Sequence, residues 1–197
     1  MKKTGLYFGS FNPVHLGHLI VADYFANQTD LDEVWFVVSP HNPFKHAADL
    51  ANENDRLNML RLAIGNNPKL MASDIEFFLP KPSYTCDTLA HLSQTFPEKQ
   101  FTILLGDDNQ ARFSQWKNFR WILENYPIRF FPRHASESAD PAIDWNNLDV
   151  AVMNAPRIEI SSTRIRENIR KEKSNRYQLS DSVVEYIQQH GLYRNED

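Results

Sequence analysis

At 197 residues, with 42% hydrophobic and 23% charged side chains, the chain carries enough apolar content for one globular core, and a single domain over 1–197 is expected. Its formal net charge of −4, from 21 Lys+Arg against 25 Asp+Glu, excludes a broad cationic surface for nucleic acid or anionic lipid, so any bound phosphate must be held by a local cluster. No run approaches the ~20 apolar residues of a membrane span, no signal-peptide hydrophobic stretch follows Met1, and Cys86 stands alone, so a soluble cytoplasmic protein is expected.

Apolar runs that read as strands alternate with segments of helical period. Leu6–Phe8 is a strand that ends in the turn Gly9-Ser10-Phe11-Asn12-Pro13-Val14-His15 and leads into a helix over Leu16–Asn27. Strand Val34–Val38 is followed by the long loop Ser39–Asn52, which carries His41, Asn42, Lys45 and His46, and then by helix Asn54–Ile64. Leu70–Ala72 precedes helix Tyr84–Gln94, and Phe101–Leu105 runs into Gly106-Asp107-Asp108 and helical turns through Leu123. Ile128–Phe131 and Val150–Val152 complete the strands, separated by a second long loop, Pro132–Asn147, read as a mobile surface excursion. A C-terminal helical part spans about 162–190.

Strand and helix alternating at this spacing imply an α/β protein: one Rossmann-like, doubly wound parallel sheet with helices on both faces. In such a sheet ligands sit beyond the carboxyl ends of the strands, near the point where strand order reverses. The turn after the first strand and Gly106-Asp107-Asp108 can then line one crevice.

Two segments carry the chemistry. In the first turn, backbone N–H groups and the positive helix end favour an anion, and His15 and His18, three apart, can point both imidazoles at it. Gly17 between them costs about 1 kcal/mol of helix stability against Ala, which suggests that close approach of a ligand or backbone is needed there. The rival readings are a chance pair of histidines and a zinc site, for which only His41, His46 and carboxylates could complete the ligands. The second segment, Ile160-Ser161-Ser162-Thr163-Arg164-Ile165-Arg166, offers an N-cap region and then places arginines in the first turn, where the helix dipole favours acids. An anion would relieve that conflict, with Arg166 gripping it in bidentate fashion; the competing reading is a solvated helix with Glu167 as partner.

The His-x-Gly-His turn and the Ile-Ser-Ser-Thr-x-Ile-Arg segment resemble the paired signature of nucleotidyltransferases. With Pro82-Ser83-Tyr84-Thr85, Gly106-Asp107-Asp108 followed by Phe113-Ser114-Gln115-Trp116, and Val184 to Tyr193, the ordered set resembles the bacterial nicotinate-nucleotide adenylyltransferases over nearly the whole chain. The resemblance implies transfer of AMP from ATP to nicotinate mononucleotide, giving the deamido dinucleotide and pyrophosphate, with Mg²⁺ carried on the phosphates and no protein metal site. It places Gly9, Ser10, Phe11, His15, His18, Gly106, Asp108, Ser162, Thr163 and Arg166 at ATP, with His15, His18 and Arg166 catalytic. It places Asn12, Asn42, Lys45, Tyr84, Thr85, Trp116 and Arg133 at nicotinate mononucleotide, Trp116 stacking on the pyridine and Asp108 holding a ribose hydroxyl on the adenosine side. Without the resemblance, Asp108 reads as a helix cap and Trp116 as core packing. The family turn usually ends in Asp-Pro, so Asn12 replaces a carboxylate. Alternatives are nicotinamide mononucleotide or phosphopantetheine as acceptor, or a nucleotide sensor without turnover.

Overall fold

The computed structural model describes residues 1–40, 50–133 and 139–194. Among these, strands β1 (Lys2–Gly9), β2 (Glu33–Val38), β3 (Leu70–Ser73), β4 (Lys99–Gly106), β5 (Ile128–Phe131) and β6 (Val150–Val152) form one sheet in the order β3-β2-β1-β4-β5-β6. Every pairing is parallel, with Leu6 opposite Trp35 on one side and Ile103 on the other. The expected doubly wound α/β sheet is therefore the one observed. The chain winds outward from β1 to β3 and then returns to lay β4 on the other side of β1, so order reverses between β1 and β4.

Alternation along the strands explains the layers. Tyr7, Phe36, Leu104 and Phe131 face one core with Val21 and Phe25 of α1 (Leu16–Gln28), Leu57 and Leu60 of α2 (Glu53–Ile64), Ile165 of α5 (Ser162–Arg170) and Ile187 of α6 (Asp181–Gln189). Their neighbours Leu6, Trp35, Ile103, Leu105 and Phe130 face the other, with Cys86 and Leu89 of α3 (Thr85–Thr95) and Ile122 of α4 (Phe119–Asn125). All of Glu33–Val38 is buried, as a central parallel strand covered on both faces must be. The α2 start follows from its sequence: the Asn52 side chain accepts from Asn54 N–H, and Glu53 and Asp55 occupy the first turn.

Two expectations are corrected. β1 begins at Lys2, well before the apolar run, because backbone pairing with β4 extends through Lys2 and Lys3. The stretch after Arg133 is not a free excursion where it is described. Asp140 is 6% exposed and accepts from Ser114 N–H at 3.0 Å and Ala142 N–H at 3.0 Å. Trp145 packs edge-on against Phe113 and Phe130, with ring centroids 6.0 and 5.9 Å apart.

Candidate active site

The turn after β1 is shaped by an aromatic cluster. Phe11 adopts a left-handed backbone (φ 46°), sparsely populated for a non-glycine residue, and its ring packs against Tyr7, His18 and Phe36 at 5.6, 5.1 and 5.4 Å. That ring folds back over Gly9, where a Cβ would lie 2.8 Å from it. The sharp bend brings His15 to the N-cap of α1.

The imidazoles of His15 and His18 stack, centroids 3.6 Å apart and planes 22° from parallel. His15 N–H donates to His18 Nδ1 at 3.2 Å, so in neutral His18 the ring proton belongs on Nε2, where it can be donated to an oxyanion. His15 is 7% exposed; burial first, and then the positive charge of Arg133, pull its pKa down to about 4, so the ring is neutral near pH 7. Its Nδ1 is buried without a hydrogen-bond partner. Gly17 is needed for the close approach of His15 itself: a Cβ there would lie 3.1 Å from His15 Cε1 and Nδ1 and 3.1 Å from Ile158 Cγ2.

The second segment meets this turn directly. Ser162 Oγ donates to the Pro13 carbonyl at 3.0 Å, and Arg166 donates from one terminal nitrogen to the Asn12 carbonyl at 2.9 Å. The anticipated capping role of the serines is replaced by this bridge: Ser161 is the N-cap but forms no side-chain capping bond. Arg166 Nε is buried without a hydrogen-bond partner, and among the described residues neither Arg164 nor Arg166 forms an ion pair with Glu167 or any other acid. Thr163 and Arg164 are exposed at the helix start. Asn12, 5% exposed, ties the corner together: its Oδ1 accepts from Ala51 N–H at 3.1 Å and from Tyr193 Oη at 2.8 Å.

Beyond β4, Gly106 leads into a 3-10 turn, Asp107–Gln115. Asp107 Oδ1 accepts from Arg133 N–H at 3.0 Å, and Asp108 pairs with the Arg133 guanidinium at 3.4 Å across a largely exposed contact. Arg133, expected at the acceptor, thus sits beside Asp108 and within the electrostatic reach of His15.

On the side expected to take the acceptor, Tyr84 is the N-cap of α3 and Thr85 its first residue. The indole of Trp116 is half-buried and one face stacks on Phe113 at 4.9 Å and 22°. Lys117 Nζ lies 4.6 Å above the Tyr84 ring and 2.8 Å from Asp87. Asn42 and Lys45 lie outside the described residues. Among the described residues no three His, Cys, Asp or Glu side chains converge as metal ligands.

Two residues of this region were not among the expected site residues. Arg56, 1% exposed, donates to the carbonyls of Ser10 (2.7 Å), Ser39 (2.8 Å), Pro40 (3.1 Å) and Ala51 (2.9 Å), clamping the turn to both described stems of the Ser39–Asn52 connection. In sequence it reads as an ordinary charge on an amphipathic helix. Tyr193 falls in the C-terminal motif, but its partner Asn12 is visible only once the chain is folded.

The cytidylyltransferase-like family matches residues 6–168. The "probable nicotinate-nucleotide adenylyltransferase" of Cytophaga hutchinsonii is 48% identical over 98% of this chain and 99% of its own. That of Flavobacterium psychrophilum is 45% identical over 98% and 99%. Among solved structures, the Plasmodium falciparum nicotinic acid mononucleotide adenylyltransferase complexed with NaAD superposes with a TM-score of 0.80 at 22% identity, over 98% of each chain, a likeness of fold. With identity of this level running end to end and both signature segments meeting at one corner, the chain belongs to the cytidylyltransferase-like family and, within it, to the nicotinate-nucleotide adenylyltransferases.

Proposed function

We propose that this protein transfers AMP from ATP to nicotinate mononucleotide, releasing pyrophosphate and forming the deamido dinucleotide. The observation that carries the assignment of the phosphate site is the pair of buried nitrogens without partners, His15 Nδ1 and Arg166 Nε, on two segments joined by the Ser162–Pro13 and Arg166–Asn12 hydrogen bonds. Buried polar atoms are normally satisfied, and each orphan costs on the order of 1–3 kcal/mol, so a pair at one corner marks a place where a ligand completes the bonding.

An oxygen of the acceptor phosphate attacks the α-phosphorus of ATP, the bond from that phosphorus to the bridging oxygen breaks, and pyrophosphate leaves with the electron pair. No protein nucleophile is required; positioning and charge neutralisation do the work. His18 donates from Nε2 to a phosphate oxygen, neutral His15 stacks on the His18 ring and completes its own bonding at Nδ1 with the phosphate, and Arg166 neutralises charge developing on the leaving group. The backbone N–H groups at the start of α5, beside Ser162 and Thr163, add donors, and Asp108 holds an adenosine ribose hydroxyl. Tyr84, Thr85 and the Trp116 face opposite Phe113 receive the pyridine carboxylate half.

The donors at the phosphate corner are imidazole, hydroxyl, guanidinium and backbone N–H, which suit phosphate oxygens, whereas Mg²⁺ takes oxygen ligands and retains waters. We therefore assign Mg²⁺ to the triphosphate as carrier rather than to a protein cage; when bound it offsets phosphate charge. The relatives, the lone cysteine and the absence among the described residues of any helix long and apolar enough to cross a membrane support a cytoplasmic site of action.

The test is pyrophosphate release with ATP and Mg²⁺, comparing nicotinate mononucleotide, nicotinamide mononucleotide and phosphopantetheine as acceptors. The acid is expected to react fastest, and silence with all three overturns the assignment. His18→Ala should lower turnover by about 10²-fold or more in a folded protein.

A further inference from the structure

Glu76 lies on the short 3-10 helix Ile75–Phe78, between β3 and α3, and is 1% exposed. A carboxyl group so deeply buried ordinarily has a cationic partner, yet among the described residues no Lys, Arg or His pairs with it. Its surroundings are hydroxyls. Thr88 Oγ1 donates to Glu76 Oε1 at 2.8 Å, while Glu76 Oε2 and the buried Ser83 Oγ are both without hydrogen-bond partners. Burial pushes the carboxyl pKa up, and the hydroxyls of Thr88, Ser39 and Ser83 offset this only in part.

Those three hydroxyls belong to the segments that frame the acceptor side. Ser39 follows β2, and its N–H is held by the Gly9 carbonyl at 2.9 Å, at the root of the phosphate turn. Ser83 immediately precedes Tyr84. Thr88 lies on the first turns of α3, its N–H bonded to the Tyr84 carbonyl at 3.2 Å. An ionised carboxylate among hydroxyls, with no cation, is costly to bury, whereas the neutral acid is cheaper and brings a donor that one of those oxygens can accept. A neutral group also leaves the acceptor's own carboxylate without a like charge nearby.

We propose that Glu76 is a positioning residue for acceptor recognition: a buried carboxyl group with no cationic partner that, through its hydrogen bond with Thr88 and its place among the hydroxyls beside Ser83, fixes the Tyr84–Thr85 turn against the exit of β2. This rests on the assignment of nicotinate mononucleotide to that turn. Glu76 touches no substrate and acts only through the hydroxyls around it.

The test measures Michaelis constants for both substrates by pyrophosphate release in Glu76→Gln, Glu76→Leu and Thr88→Val, each checked for folding by thermal unfolding. Gln keeps the shape, a donor and an acceptor without charge, so both constants stay within about twofold of wild type. Leu, and Val at 88, remove the hydrogen bonding; the constant for nicotinate mononucleotide rises about tenfold or more while that for ATP stays within about twofold. Thr88→Val, which replaces the hydroxyl with a methyl group of similar size, decides the matter if the Leu variant does not fold. An unchanged acceptor constant in folded Thr88→Val, an equal rise for both substrates, or a Gln variant as impaired as Leu overturns the proposal. Wild-type protein inactive with every acceptor instead overturns the function on which it rests, a result distinguishable from active enzyme with silent variants.

Discussion

Arg166 donates a hydrogen bond of 2.9 Å to the backbone carbonyl of Asn12, a residue 154 positions earlier in the chain. A guanidinium committed on one edge to a carbonyl, with Nε buried and unpartnered, is held in a fixed pose before any phosphate arrives. Such preorganisation is what makes charge stabilisation effective, because no reorientation is needed as the leaving group develops charge.

Arg166→Lys keeps the charge but cannot span the Asn12 carbonyl and a phosphate together. Turnover is expected to fall by about 10²-fold, while loss of one hydrogen bond costs about 1 kcal/mol of stability. Pyrophosphate release and thermal unfolding on the same preparation separate the two effects, and wild-type turnover in the lysine variant would remove Arg166 from the mechanism.

The depressed pKa of His15 gives the unliganded protein a characteristic acid sensitivity. From its ordinary value of 6.5 the ring is brought to about 4 in the fold, chiefly by burial. Between these values the unfolded chain binds a proton that the native chain does not, so stability is full above about 6.5 and declines as pH falls toward about 4. The loss is on the order of 2–3 kcal/mol. Denaturant unfolding at pH 7 and pH 4.5 should show it, and His15→Gln, which cannot titrate, should lose less over the same interval.

Gly17→Ala sets helix propensity against the site. Alanine is favoured within a helix by about 1 kcal/mol, but the new methyl group would press on the His15 ring and Ile158, each 3.1 Å away. The expected result is a melting temperature close to wild type with kcat/KM for ATP lowered about tenfold or more, since displaced catalytic groups are costly. Unchanged kinetics would show that the ring has room to move.

Glu33 provides a contrast at the opposite end of the strands. Burial acts to raise its pKa, but hydrogen bonds from Lys2 (2.6 Å), Lys99 (2.7 Å) and Thr4 (2.9 Å) outweigh it and hold the carboxyl down to about 2. Its contribution is full above the ordinary value of 4.5 and is lost as pH falls toward about 2. Glu33→Gln should cost about 2 kcal/mol at pH 7 and flatten that part of the acid unfolding curve, with turnover at neutral pH unchanged. A drop in turnover without loss of stability would contradict this separation.

The parts of the fold that were legible are those where local pattern and tertiary environment agree. Val34–Val38 reads as a strand and lies within one buried throughout; the helix after Asn52 has its cap and its first-turn acids in the sequence itself. Misreadings arose where long-range partners decided. Ser161 does occupy the N-cap, though without a side-chain capping bond, and Pro13 claims the Ser162 hydroxyl. Asp140 and Trp145 look like parts of a polar excursion, but Ser114 and the rings of Phe113 and Phe130 fasten them to the core. Asp107, to which the family resemblance assigns no contact, holds the Arg133 backbone.

Taken alone, the order of residues was enough to establish a wound parallel sheet and to pick out the two segments proposed for phosphate, because hydrophobic period, turn residues and helix-end chemistry are short-range properties written along the chain. Folding decided what those segments do to each other: that one ring of the histidine pair is buried and neutral, that an arginine is moored to Asn12, and that Arg56 and Glu76 lie in the interior beneath the site. Burial and pairing between distant positions set protonation and orientation, and neither is encoded in any local stretch of sequence.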